Sequence, residues 1–263
     1  MQELSPSIYT SKIIKAGALI DDTKTLLANW DSAQPVRQNL RRFRNENVFG
    51  KATRSRIEDI LVIFRQRYID NPIVINGLKL FVANPSLSEA TNRVLFFFAA
   101  QNDRLLYDAV TVFLAAKKRQ GLDEISVQLL VDWINQLVAD KKTTTEWSEK
   151  TILRCSQELL STMRDFGVLE GAHTKKIAQF YLPLEAFTFI AFYLYKKAPS
   201  GDRLIHHPDW SLFFLTDKIV ERLLLEAHQR HLLEYYVAGQ VFRLTFPADS
   251  LEEYARVITQ RTY

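Results

Sequence analysis

The stretch Leu182 to Tyr195, LPLEAFTFIAFYLY, is the most apolar window of the chain. It contains Pro183 and Glu185 and falls well short of the ~20 apolar residues that a bilayer crossing needs. A helix this apolar and this short belongs in a protein core, buried on more than one side. The run Leu95 to Ala100, LFFFAA, imposes the same condition. At 263 residues the chain can supply one large or two small domains around such helices. With 47% hydrophobic and 24% charged residues it has the composition of a folded globule, not of a disordered chain.

Helical period recurs along the chain in short segments divided by polar turns. Ser7 to Ala16 forms one helix, and Asp21 or Asp22 caps a second that runs to Trp30. An apolar segment, Ile73 to Val82, is framed by Pro72 and Pro85, and Ser86 or Ser88 opens the helix that ends in LFFFAA. From Asp103 the order changes. Leu105, Ala109, Val112 and Ala116 mark one helix, and Val127, Val131, Ile134 and Val138 a second. The turn KKTTTEWS leads into a third, Ser148 to Phe166, and GVLEGAHTKKIAQFYLP then offers two β-like runs around a polar tip. Three helices and a hairpin in this order describe a winged helix, whose third helix enters the DNA major groove in many nucleic-acid readers, although such units also serve as protein–protein modules. Residues 184–246 repeat the theme, with two strands joined near Gly239, and Ser250 with Glu253 forms a capping box for a last helix.

Charge is concentrated in one place. Between Val36 and Tyr68 there are nine basic and three acidic residues, a net of +6 in a chain whose total is +4. A local field of one sign points to a polyanionic partner. In a helix, Arg37, Arg41 and Arg44 fall at i, i+4 and i+7 on one stripe, while Val36, Leu40 and Phe43 line a neighbouring stripe that can face inward. After a turn over Asn47 to Lys51, Thr53 or Ser55 caps a second helix, and its first turn holds Arg54 and Arg56. The macrodipole disfavours cations there unless an anion lies close. With Arg42 and Lys51, these residues form the expected phosphate-contacting set; the competing reading is a solvated face on two ordinary helices. On the third helix of the second segment, Lys150, Arg154, Gln157 and Ser161 share a face that suits a groove, and Lys175 and Lys176 occupy the wing tip. Glu146, Glu149, Glu158 and Asp165 nearby oppose phosphate binding.

The segments IYTSKIIKAGALIDDT at 8–23 and VRQNLRRFRNENVFGKATRSRIEDILVIFRQRYI at 36–69 resemble the N-terminal part of the BrxA proteins of BREX (bacteriophage exclusion) defence systems, in word order as well as composition. The resemblance implies a small, mostly helical DNA-binding accessory protein that works with other BREX proteins. It also implies a NusB-like bundle in part of the fold and no catalytic centre. Together with the patterns above, the expected fold is mainly α: a NusB-like helical bundle with the basic hairpin over residues 1–102, and a winged-helix-like unit over 103–182. A C-terminal helical unit with a β-hairpin, over 183–263, packs on the rest.

Catalytic signatures do not stand out. Gly50-Lys51 is followed by Ala52 where a phosphate-binding loop requires Ser or Thr, and Asn45 occupies the place of its first glycine. His228 and His231 near Glu234, and the cluster His206, His207, Asp209, lack the three or four ligands of a zinc site, so no metal or other cofactor is expected. The single cysteine, Cys155, sits in a helical pattern as a small buried hydrophobe and, with no signal peptide in MQELSPSIYTSK, fits a cytoplasmic protein. The expected role is non-enzymatic binding of double-stranded DNA, largely independent of sequence. Two alternatives stay open: a scaffold that joins other defence proteins, and RNA in place of DNA.

Overall fold

A computed structural model describes residues 9–50, 53–69, 72–239 and 241–261. The chain is mainly helical, with two small antiparallel sheets. It divides into two compact units: one takes residues up to Leu19 together with Ala99–Phe180, the other takes Ile20–Phe98 and Tyr181 onward. Each unit is therefore assembled from stretches far apart in sequence. None of the described helices is long and apolar enough to cross a membrane.

The first unit contains an unbroken helical stretch over 104–119, whose middle, Ala109–Leu114, widens into π-helical turns. Asp103 caps it by accepting from the backbone N–H groups of Leu105 and Leu106 at 3.1 and 3.2 Å. A strand, Glu124–Ile125, precedes helices Val127–Ala139 and Glu149–Asp165, and strands Leu169–Glu170 and Lys175–Ile177 follow. Ser126 and Ser148 cap the two helices, each hydroxyl accepting a backbone N–H at 3.3 Å. Lys175–Ile177 is the central strand, with Glu124 opposite Lys176 on one side and Leu169 opposite Ile177 on the other. The tight turn before it depends on Gly171 at φ +97°, where a Cβ would stand 2.1 Å from the Thr174 carbonyl oxygen. The hairpin lies where the sequence places it, but Lys175 and Lys176, expected at its tip, belong to the central strand, and the tip is formed by residues 171–174. The strand at 124–125 is too short to show a period of its own and exists through its pairing.

The inward faces follow the helical period: Leu130, Ile134 and Leu137 on one helix, Ile152, Cys155, Leu159 and Met163 on the next, all buried. The helix expected over Ser7 to Ala16 is one turn, Ile13–Ala16, among the described residues. Tyr9 is instead extended: its N–H donates to the Lys142 carbonyl at 2.8 Å and its carbonyl accepts from Thr144 at 3.0 Å.

In the second unit, helix Ile20–Ala28 already contains Asp21 and Asp22 in its first turn, where they suit the helix dipole without capping it. Helices Val36–Glu46, Arg54–Phe64 and Pro72–Ala83 follow, the second running on through a π-helical turn at Arg65–Ile69. Leu184–Lys197 is buried from Leu184 to Leu194 apart from Glu185, and Phe96, Phe97 and Phe98 are buried as well. Tyr193 meets Phe97 and Phe98 edge-on, with centroids 5.9 and 4.9 Å away. Gly77 lets neighbouring chain approach closely, since a Cβ there would lie 3.0 Å from the Phe189 ring and 3.2 Å from the Leu251 carbonyl oxygen. The last helix, Leu251–Arg261, starts with the expected capping box: Ser250 Oγ accepts from Glu253 N, and Glu253 Oε2 accepts from Ser250 N, both at 3.2 Å.

Candidate nucleic-acid interface

The basic segment forms two helices linked through Asn47 (φ +45°) and Gly50 (φ +60°), both left-handed. Thr53, not Ser55, caps the second helix, its hydroxyl accepting from Arg56 N at 3.3 Å. Phe43 is fully buried and Asn39 nearly so, which fixes the face of Val36–Glu46 that turns inward. Asn39 was not visible in the sequence as a core residue. Its side chain accepts from Asp31 N at 3.0 Å and donates to the Asp31 carbonyl at 2.8 Å, so it is a polar tie for the preceding loop.

Arg37 and Arg41 stand on the outer face, exposed, and make no ion pair or hydrogen bond among the described residues. The third member of the predicted stripe differs. Arg44 grips Glu58 of the next helix with two donors, Nη2 reaching Oε2 at 2.9 Å and Nε reaching Oε1. That hydrogen bond raises the pKa of Arg44 and holds the Glu58 carboxyl below its ordinary value. Arg42 donates to the Asn29 carbonyl and to Asn39 Oδ1 at 3.3 Å, with its guanidinium 5.1 Å from the centre of the Phe43 ring. Arg54 is exposed and Arg56 half-buried and engaged. Arg67, which counts toward the +6, is only 4% exposed, whereas Arg65 is exposed. Lys51 lies outside the described residues. The exposed part of the segment free of carboxylates among the described residues therefore centres on Arg37 and Arg41, while Arg54 on the neighbouring helix is exposed but acts on the Glu58 carboxylate.

In the first unit, Lys150, Arg154 and Gln157 all stand exposed on one face of Glu149–Asp165, opposite the buried Ile152, Cys155, Leu159 and Met163. Leu153 lies on this outer face too, 44% exposed, and sequence reasoning missed it because an apolar residue in an amphipathic helix is by default assigned to the core. Farther along, Arg164 pairs with Asp165 at 2.6 Å. The hairpin lysines are engaged within their own unit. Lys175 is 9% exposed and donates to the Ala172 carbonyl, and Lys176 pairs with Glu124 across the strands at 3.3 Å. A cleft of 680 Å³ separates the hairpin tip from the third helix, lined among others by Ser126, Gln157, Ser161, Arg164 and His173.

Burial pushes the Cys155 thiol up to about 12, which removes it as a nucleophile near neutral pH. Among the described residues, no three His, Cys, Asp or Glu side chains gather in a way that could hold a metal ion. A family model described as BrxA matches residues 7–193. No curated protein matches the chain.

Proposed function

The chain belongs to the BrxA family, whose model spans residues 7–193 of its 263, and from that premise we propose that it is a non-enzymatic DNA-binding accessory protein. Family membership ties it to BREX phage defence and so to the other components of that system. The observation that carries DNA binding is the exposed pair Arg37 and Arg41, free of the protein's own carboxylates and about 6 Å apart along one helix. Two cations held at that separation with Arg54 on the neighbouring helix suit successive phosphates, and such contacts are indifferent to sequence.

Groove contacts come from Lys150, Arg154 and Gln157. The order helix, strand, helix, helix, hairpin supports reading this unit as a winged helix with Glu149–Asp165 as its recognition helix. The rest of the helical body fits the NusB-like bundle that the family resemblance implies. Lys175 and Lys176 steady the hairpin in this scheme.

Fluorescence anisotropy with a short duplex across a salt series tests the function. With four to five phosphates engaged, log affinity should fall against log salt with a slope of roughly −4. Absence of binding even at low salt would replace DNA binding with the scaffold role, and preferential displacement of the duplex by RNA would move the function to that polymer.

A further inference from the structure

The second unit contains another succession of three helical elements and a hairpin: Leu184–Lys197, then Gly201–Ile205 extended by a 3-10 stretch at Pro208–Phe213, then Asp217–Gln229, then strands Glu234–Ala238 and Val241–Thr245. Its third helix carries Lys218, Arg222, Leu225 and Gln229 at i, i+4, i+7 and i+11, all exposed. The spacing is that of Lys150, Arg154, Gln157 and Ser161, and here a leucine, Leu225 at 48% exposure, takes the place of Gln157. Lys218 and Arg222 make no ion pair among the described residues.

The acidic residues of the same helix are partly occupied or partly buried. Glu226 is held by Arg230 at 3.0 Å, Asp217 lies 3.6 Å from His206 Nε2, and Glu221 is half-buried. On the hairpin, Tyr236 stands directly across from Arg243, and both are exposed. Tyr236 and Val237 are successive strand residues on opposite faces, yet each is about half exposed, so the hairpin has solvent on both sides there.

We propose that Asp217–Gln229 is a second duplex-DNA contact, its Lys218, Arg222, Leu225 and Gln229 facing the major groove while Arg243 and Tyr236 of the hairpin reach the flanking backbone. This element lies beyond residue 193, outside the family match. It rests on the reading that the chain binds duplex DNA but not on the Arg37 and Arg41 surface.

The test measures binding of the full chain to a mixed-sequence duplex for wild type, Lys218→Ala/Arg222→Ala and Arg37→Ala/Arg41→Ala. The first double variant should lose about tenfold in affinity and flatten the salt slope by roughly 2, since two phosphate-range cations are removed. An unchanged melting temperature in that variant, expected for two exposed side chains, excludes misfolding; if it melts early, Arg222→Lys, which keeps the charge, must restore both fold and binding. Wild-type binding with unaltered affinity and slope in Lys218→Ala/Arg222→Ala overturns the second contact and leaves the proposed function standing. Failure of the wild type to bind any duplex removes both.

Discussion

Tyr9 donates its hydroxyl hydrogen to Asp108 Oδ2 at 2.6 Å, and the same oxygen accepts from Arg104 Nε at 2.8 Å. Asp108 is buried, and its other oxygen has no hydrogen-bond partner among the described residues. Tyr9 also bonds through its backbone to Lys142 and Thr144, in the turn that leads to the third helix of its unit. One residue thus clips that turn to a buried carboxylate on the first helix. Tyr9→Phe keeps the ring and the backbone bonds but withdraws a donor from a buried charge, at a cost of about 1–3 kcal/mol. Thermal melting should fall by about 2–4 °C for each kcal/mol lost.

The same tyrosine sets a response to alkali. Burial first, and then the hydrogen bond to Asp108, raise its pKa above the ordinary value near 10. The folded state therefore holds this proton more tightly than the unfolded chain. Its contribution is complete below about pH 10 and is lost progressively as pH rises from there toward the folded value. Burial raises Tyr68 and Tyr254 likewise, so the protein should unfold in alkali with an onset near pH 10. Tyr9→Phe should make that fall less steep without abolishing it, as urea midpoints measured at successive pH values would reveal.

Arg44 and its stripe-mates should separate in function. Arg37→Ala/Arg41→Ala removes two uncommitted cations and should flatten the salt slope of duplex binding by roughly 2 at unchanged stability. Arg44→Ala removes a cation already held by Glu58 and should change the slope by less than about 1. Its effect should appear in acid stability. Glu58 is held below its ordinary value, so the pair contributes above that value and is lost as pH falls through the folded one. Both side chains are over a third exposed, so solvent screening keeps the contribution below about 1 kcal/mol. A slope change equal to that of the double variant would mean that the Glu58 pair opens to DNA.

Much of this was legible in the sequence, and the misses have physical causes. The helices around Leu184–Leu194 and Phe96–Phe98 were readable because so many apolar residues in a row admit only burial. The capping box of Ser250 and Glu253 was readable because its chemistry is local. What depends on a distant partner was not. Glu58 capturing Arg44, Asn39 entering the core, Lys175 turning in toward Ala172 and strand Glu124–Ile125 all arise from packing that a linear pattern does not encode. The helical stripe correctly put Arg37, Arg41 and Arg44 on one side, but sharing a side does not decide which cation finds a carboxylate first.

Gly77 is a stability determinant with no role at any surface. A single added Cβ already meets the Phe189 ring at 3.0 Å and the Leu251 carbonyl oxygen at 3.2 Å, so Gly77→Val must push apart helix Pro72–Ala83 and its neighbours. Overpacking of this kind costs about 1–3 kcal/mol. Because Gly77 is inside a helix, alanine's better propensity returns up to about 1 kcal/mol, and Gly77→Ala should lie close to wild type while Gly77→Val melts clearly lower. Equal melting temperatures for all three would show that the contact relaxes freely.

Leu153 supplies the sharpest test of how the first unit meets DNA. It is 44% exposed between Lys150 and Arg154, so Leu153→Ala should barely alter stability. Should this face lie in the major groove, the apolar surface there that a leucine can cover is the thymine methyl. Burying one methyl stabilises by about 0.8 kcal/mol, which is about fourfold in affinity. A duplex with uracil in place of thymine should therefore bind wild type about fourfold more weakly than its methylated counterpart, while Leu153→Ala should bind the two equally. A uracil penalty that persists in Leu153→Ala would assign the methyl contact to another residue, and no penalty in wild type would take this face of Glu149–Asp165 out of the groove.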